Sequence, residues 1–321
     1  MKALSHAISF LTLAIALWFT PAQAQDYPNR PVRVIVPFPP GSGTDVIARR
    51  MSEKLQRIFK QPFVIDNKVG ANGIIAAQAA AAADPDGYTI FISSISTQAT
   101  NVSLYKSLPY DPQKDFAPIS GIITNALILT ARADFPADDM AGVIKFGKAS
   151  PEPLKMGSGN TSSIVGNATF KALTGVDVLE VAYKGTPQVL TDLMAGRLDL
   201  YFVEGAGALP SIQGGKIKAI AVAGDKLAAL PKVPTMADVG FPTLRIVTWV
   251  AAFAPARTPR AIVDRLNAAI VQVVKDKDEV AYFDGIGAQS FPTTPEELGA
   301  FVAKETIFWG EQIRKVGIEK Q

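Results

Sequence analysis

Apolar and polar positions along the first third of the chain predict strands separated by helices. Short, largely apolar runs at 32–36, 62–65 and 88–92 are typical of buried strands. Between them, apolar residues at helical spacing over 46–59 and an alanine-rich segment from about 72 to 83 predict two helices. Strands that alternate with helices in this order form a parallel sheet covered by helices.

The same alternation starts again in the second half of the chain. It predicts strands at five short runs, namely 127–129, 154–156, 176–181, 199–203 and 219–222. Helices are expected to end near Leu173 and near Met194, and the segment 259–316 is mostly helical. The sequence therefore predicts two α/β units.

Two segments are candidates for the chain crossing between these units. One lies near 116–124, and the other is an apolar run at 245–254. The C-terminal helices need a sheet to cover, and the sheet of the first unit is the plausible one. We therefore expect a discontinuous first domain at about 25–121 plus 249–321, and a second domain at about 122–248. Two crossings make a hinge around a cleft.

The N-terminal segment has the pattern of a secretory signal. Lys2 precedes an apolar stretch at 7–19, which is followed by the A-x-A sequence Ala22–Ala24. This pattern predicts a signal peptide at 1–24 that is cleaved after Ala24, and hence a secreted protein. A retained interfacial anchor is the alternative. No later segment is long and apolar enough to predict a membrane helix.

Composition excludes several kinds of chemistry. The chain has no cysteine, and its single histidine, His6, lies in the predicted signal peptide. The mature chain would lack thiol nucleophiles, disulfides and imidazole bases, so we expect no catalytic residues, no metal site and no cofactor. A hydrolase that uses carboxylates as its catalytic groups is still compatible with this composition. The 32 basic and 29 acidic residues are interleaved, with a net charge of +3, which gives no case for binding nucleic acid.

Two glycine-rich loops that follow predicted strands are the strongest candidate site. Gly41–Thr44 and Gly157–Ser163 are uncharged, rich in donors, and open helices. A helix N-terminus presents unpaired N–H groups and about half a positive charge, and glycine lets a ligand approach the backbone. Two such loops facing each other would grip a small anion without a cationic side chain. The alternative for either loop alone is ordinary helix capping by Ser42, Thr44, Thr161 or Ser162.

Two further loops at strand ends add candidates. The backbone N–H groups of Gly185 and Thr186 open a helix, and we prefer them as anion donors to Lys184, which is expected on the surface. Glu204 follows a strand. It is expected either to accept a hydrogen bond from an amine or hydroxyl of the ligand, or to cap the segment 205–208.

Other glycine motifs are incomplete or absent. The dinucleotide fingerprint lacks its third glycine, and neither a G-x-x-x-x-G-K-[ST] loop nor a G-x-S-x-G elbow occurs. Phe38 and Trp249 are expected either to wall the cleft or to lie in the core. The candidate ligand-binding residues are Phe38, Gly41, Ser42, Gly43, Thr44, Ser94, Ser96, Thr97, Ser158, Asn160, Thr161, Gly185, Thr186 and Glu204.

At these and other residues the mature chain resembles the Bug receptors, the substrate-binding proteins of tripartite tricarboxylate transporters. The resemblance covers essentially the whole mature chain and is specific for the family, not for the ligand. It is carried by Tyr27–Pro31, Ile35–Gly41, Gly43–Asp45, Asn67, Gly70–Ala71, Pro85–Thr89, Leu108–Pro112, Asp115–Ile119, Tyr183–Gly185, Leu230–Thr235 and Phe253–Ala256.

The resemblance implies an α/β, type II-like periplasmic-binding-protein architecture. Each domain would be a mostly parallel sheet flanked by helices, and the cleft would lie at the domain interface. In the family, the loop after the first strand and the Tyr-Lys-Gly loop hold a carboxylate, partly through ordered water, which points to Gly41–Thr44 and Gly185–Thr186. A monomer is expected, with a small organic carboxylate as ligand and a membrane permease or a sensor kinase as partner.

Three departures from the family pattern leave the ligand open. Gln98 stands where histidine is frequent, Glu204 where aspartate is common, and Asn72 where glycine is usual. The alternative functions are a secreted hydrolase, for which Asp45 and Glu204 are the only candidate carboxylates, and a ligand-responsive partner of a sensor without a transport role.

Overall fold

The computed structural model describes residues 27–321, so the predicted signal peptide at 1–24 lies outside the described residues. The strands are β1 (Val32–Val36), β2 (Phe63–Asn67), β3 (Thr89–Ser94), β4 (Phe116–Arg132), β5 (Leu154–Ser158), β6 (Val178–Ala182), β7 (Leu200–Glu204), β8 (Ile217–Val222), β9 (Val247–Pro255) and β10 (Ala288–Ser290). The helices are α1 (Gly43–Phe59), α2 (Ile74–Ala81), α3 (Asn101–Leu104), α4 (Met140–Ala149), α5 (Thr161–Thr174), α6 (Thr186–Met194), α7 (Gly205–Gln213), α8 (Arg260–Val274), α9 (Lys277–Gly285) and α10 (Pro295–Lys315). A π-helical turn, Ser96–Thr100, follows β3.

One long strand joins two halves of the sheet. β4 has 17 residues; it pairs with β9 and β10 through Ala126, and with β7 and β8 from Leu127 onward. We call the part built on β1–β3, β9, β10 and the first half of β4 lobe one, and the part built on β5–β8 and the second half of β4 lobe two. The change of partners lies a few residues after the predicted boundary at 121/122, and the domain division itself stays a prediction.

The expected α/β architecture is confirmed, with a mixed sheet flanked by helices. β1 is parallel to β2 and β3, and β5 is parallel to β6 and β7. β4 and β9 are antiparallel to their neighbours because they carry the chain between the lobes. The two lobes repeat one strand order, β2-β1-β3-β9-β4 in lobe one and β6-β5-β7-β4-β8 in lobe two. The carboxyl ends of the parallel strands therefore carry loops that can face each other.

The crossing strands differ most from the sequence prediction. Residues 116–132 form one strand, where a crossing at 116–124 and a short strand at 127–129 were predicted, and β9 occupies most of the second predicted crossing. β10 was not predicted. Small and polar residues such as Ser120, Gly121 and Asn125 interrupt the apolar pattern of β4, although most of the strand is buried between neighbours.

The C-terminal helices pack on lobe one. α8 contacts both α1 and β4, and α10 contacts β4 and the π-helical turn. The apolar face of α1, with Ile47, Met51 and Leu55, is buried in the same core. Among residues 27–321, no helix combines the length and the apolar composition needed to cross a membrane.

A buried carboxylate links α9 to α1. Glu279 accepts two hydrogen bonds of 2.8 Å from Arg50 and lies 2.5 Å from the ammonium of Lys54. Burial acts to raise the pKa of Glu279, but the bonds to Arg50 and Lys54 outweigh it, so that the pKa is lowered. A lowered pKa stabilises the fold above the pKa of the unfolded chain, and the contribution is lost as the pH falls through the folded value.

We therefore predict that Glu279→Gln lowers the free energy of unfolding at pH 7 by about 1–3 kcal/mol, because the amide leaves two cations without a counter-charge. Urea denaturation at pH 7 and pH 3.5 measures the free energy of unfolding. The difference in this free energy between wild type and variant should shrink at the lower pH. Glu53→Gln, which removes an exposed partner of Arg57, is the control and should change stability by less than about 0.5 kcal/mol. Equal losses in both variants would contradict the prediction.

Candidate functional site

A small cavity lies between the lobes, at the carboxyl ends of the parallel strands. The cavity has a volume of about 20 Å³, enough for about one water molecule, so the lobes are closed upon each other. The cavity is lined by Phe38, Gly43, Thr44, Ser94, Ile95, Ser96, Ile123, Asn125, Asn160, Ser162, Glu204, Ala206, Thr248, Trp249 and Val250. Both lobes and both crossing strands contribute to this lining.

The wall from lobe one is the start of α1. Ser42 caps the helix, because its hydroxyl accepts a hydrogen bond of 3.3 Å from the N–H of Asp45. The Asp45 carboxylate holds the loop in turn, since it accepts from the N–H of Gly41 at 2.9 Å, from Arg49 at 2.9 Å and from Asn67 at 2.8 Å. Helix capping is therefore the role of Ser42 in this structure, while the next two residues face the cavity.

The wall from lobe two contains the start of α5. Asn160, rather than Thr161 or Ser162, caps this helix, and its side-chain oxygen accepts from the N–H of Ser163 at 3.0 Å. Its amide nitrogen donates to Oε1 of Glu204 at 2.5 Å. Asn160 thus stabilises the helix start and fixes the carboxyl group beside it.

Glu204 is the only acidic or basic side chain that lines the cavity within the described part of the chain. Its second oxygen accepts from the hydroxyl of Thr186 at 3.3 Å, and its side chain makes no capping bond to α7. Loss of solvent raises the pKa of Glu204, while the hydrogen bonds from Asn160 and Thr186 act to lower it. The side chain of Glu204 therefore does not cap α7, which was one of the two roles that the sequence predicted for it.

The lobes touch through hydroxyl groups and glycine turns. The Thr161 hydroxyl donates to the Ser96 hydroxyl at 2.9 Å and lies 2.5 Å from the hydroxyl of Thr100. A Cβ atom on Gly185 would lie only 2.6 Å from the ring of Pro39, and one on Gly41 would lie 3.7 Å from Pro187. The Gly41 and Gly185 turns therefore face each other across the cleft.

The predicted candidates divide into two groups by position. Seven line the cavity, namely Phe38, Gly43, Thr44, Ser94, Ser96, Asn160 and Glu204. The others lie behind it or in the contact between the lobes, namely Gly41, Ser42, Thr97, Ser158, Thr161, Gly185 and Thr186. Phe38 and Trp249 line the cavity, which is one of the two positions expected for them, and both are largely buried. The lining residues from the crossing strands other than Trp249 were missed.

The missed floor comes from the crossing strands. Asn125 on β4 is paired with Thr248 on β9, and the Thr248 hydroxyl donates to the Asn125 side-chain oxygen at 3.0 Å. The signal for this pair is a polar residue inside an otherwise apolar strand. Such a residue is buried at a cost unless it has a partner, which makes it a candidate for a site.

We predict that Thr161→Val opens the lobes. The substitution keeps the shape of the side chain and removes the bonds to Ser96 and Thr100, which should lower the ratio of closed to open protein about fivefold, for a loss of about 1 kcal/mol. Because the chain has no cysteine, dyes can be attached to Cys introduced at the exposed positions Gln56 and Ala172, and single-molecule energy transfer reports the ratio.

The matched control is Thr169→Val on the same helix, whose hydroxyl donates only to the Val165 carbonyl at 2.7 Å. This control should leave the transfer distribution of the wild type unchanged. An unchanged distribution in Thr161→Val as well would show that these hydroxyl bonds do not hold the lobes together.

Comparison with known proteins gives the relatives of this chain. A family model for the tripartite tricarboxylate transporter family receptor matches residues 47–318. The structure of the periplasmic binding protein BugD is 31% identical, with a TM-score of 0.88, over 92% of this chain and 100% of its own.

Two ligand-bound structures from Rhodopseudomonas palustris are also similar. A protein with adipate is 31% identical, with a TM-score of 0.89, over 92% of this chain and 100% of its own. MatC with bound malate is 30% identical, with a TM-score of 0.84, over 89% of this chain and 100% of its own. The resemblance to the Bug receptors is thereby confirmed, and the chain belongs to the tripartite tricarboxylate transporter receptor family.

Proposed function

We propose that this chain is a solute-binding receptor that captures a small organic carboxylate between its two lobes. The observation that carries the proposal is a closed cavity whose walls are the starts of α1 and α5 and whose lining contains no basic side chain within the described residues. Helix N-termini bind an anion in such a place because their first N–H groups have no partner within the helix, and hydroxyl groups add further donors.

Similar proteins support a carboxylate as the ligand. Adipate and malate are bound in two family structures that each match about nine-tenths of this chain. Each lobe supplies only part of the donors, so a carboxylate would be fully hydrogen-bonded only when the lobes close. The candidate donors are the lining residues Gly43, Thr44, Ser94, Ser96 and Asn160, together with the contact formed by Gly185 and Thr186.

We infer a receptor rather than an enzyme. A hydrolase would use Asp45 and Glu204 together, but Asp45 is absent from the cavity lining and its carboxylate is bound by Gly41, Arg49 and Asn67. We propose delivery to the periplasm by the signal peptide at 1–24, a monomeric receptor, and release of the ligand to a tripartite membrane permease. A membrane sensor kinase is the alternative recipient.

We predict that carboxylates raise the melting temperature, because a ligand that binds only the folded protein stabilises it. At a ligand concentration of about 100 times Kd the gain is about 2.7 kcal/mol, or roughly 4 °C for a chain of this size. The panel contains malate, succinate, adipate, citrate, benzoate, aspartate and glutamate, with glucose and magnesium chloride as controls. The proposal fails if glucose or magnesium raises the melting temperature and every carboxylate leaves it unchanged.

A pair of glycine variants connects such a shift to this cavity. Gly43 lines the cavity, and a Cβ atom there would lie 3.4 Å from the Cβ of Glu204, so Gly43→Val should abolish the shift by filling the space. Gly299→Val on α10 is the control, since Gly299 lies away from the cavity, against Pro118. A shift that survives in Gly43→Val would place the ligand elsewhere.

A further inference from the structure

Glu204 is an unusual residue to find in an anion site. It is the only charged group in the lining described above, and it has the same sign as the proposed ligand. We propose that Glu204 takes up a proton when a carboxylate enters the cavity, so that the receptor binds the anion together with a proton. This inference rests on the proposed function and adds the ionic form in which the ligand is held.

The first argument is the position of Glu204 in the cavity. Glu204 lines this narrow cavity, and Asn160 holds its carboxyl in place at 2.5 Å, so a carboxylate that enters between the lobes is enclosed beside it when they close. Two carboxylates that share one enclosed site repel each other, and the pair then keeps one proton. A hydrogen-bonded acid and carboxylate replace two adjacent negative charges.

The second argument is the lack of a compensating cation. Arg49 on α1 is already paired with the carboxylate of Asp45 on the same helix, at 2.9 Å. Lys184, in the loop before α6, is exposed to solvent. The only titratable neighbour on β7 is Tyr201, whose pKa is raised, first by burial and then by the charge of Glu204.

The remaining elements around Glu204 carry no charge near it. α7 contains no ionisable residue, and neither do the segments 127–131 of β4, 161–170 of α5 and 286–287 before β10. Four helices, α1, α5, α6 and α7, begin around the carboxyl group, and their partial positive charges favour its ionised form in the free protein. A second carboxylate would have to share these partial positive charges with Glu204. Loss of solvent already raises the pKa of Glu204 before any ligand enters, which favours protonation further.

The charge of the ligand decides whether its binding needs a proton. A di- or monocarboxylate without an amine brings no positive charge of its own, so the proton must come from solvent. An amino acid would carry an ammonium group that could neutralise Glu204 without a proton. Proton uptake therefore distinguishes the two classes of ligand, and the proposal concerns carboxylates that lack an amine.

Titration calorimetry at pH 8 in buffers of different ionisation enthalpy counts the protons bound with malate, succinate, adipate, citrate or benzoate, all fully ionised at that pH. We expect an uptake of about one proton per ligand for the wild type, and a Kd that rises up to about tenfold per pH unit above the pKa of Glu204 in the free protein. Glu204→Gln should bind with no uptake, with a Kd that is independent of pH and lower than that of the wild type at pH 8. Glu152→Gln, an exposed glutamate on lobe two, is the control and should behave like the wild type.

Three outcomes overturn the inference. Binding without proton uptake by the wild type does so even if Glu204→Gln fails to fold, and so does uptake that persists in a folded Glu204→Gln. Tight binding of only aspartate or glutamate without uptake also does so, since the ammonium group then replaces the proton. If no carboxylate binds to the wild type at any pH, the proposed function itself fails, which is a different result from binding without uptake.

Discussion

An anion that is removed from water needs hydrogen-bond donors, and among residues 27–321 this cavity offers them without a basic side chain in its lining. The donors are the starts of α1 and α5 and the hydroxyl groups around them. Such groups are fixed by the backbone and are individually weak, so many of them must converge. Since each lobe carries only a share, the closed contact between the lobes is the condition on which binding depends.

The sheet makes this contact geometrically simple. β4 belongs to both lobes and is paired in its first half with β9, so the two lobes meet on a floor of crossing strands. Asn125 and Thr248 add a polar pair to this floor, directly where the pairing of β4 changes. Repetition of one strand order in both lobes then places the carboxyl ends of parallel strands on opposite sides of the same cavity.

Local signals were sufficient for much of this arrangement. The strand–loop–helix pattern located the starts of α1 and α6 within a residue or two, because glycine, proline and a capping serine mark helix starts. The length of β4 was not predictable, since its polar positions are buried by partners far away in the chain. The same is true of the contact between Thr161 and Ser96 and of the bond between Asn160 and Glu204, which depend on how the lobes and loops come together.

A crystal structure tests the central claim most directly. The protein is purified gently from its host and crystallised with a saturating concentration of a carboxylate from the panel. The account predicts a carboxylate group between the lobes, within hydrogen-bond distance of the N–H groups that open α1 and of donors from lobe two around Asn160. A ligand bound outside this cavity, or one bound through a lysine or arginine of a single lobe, would contradict it.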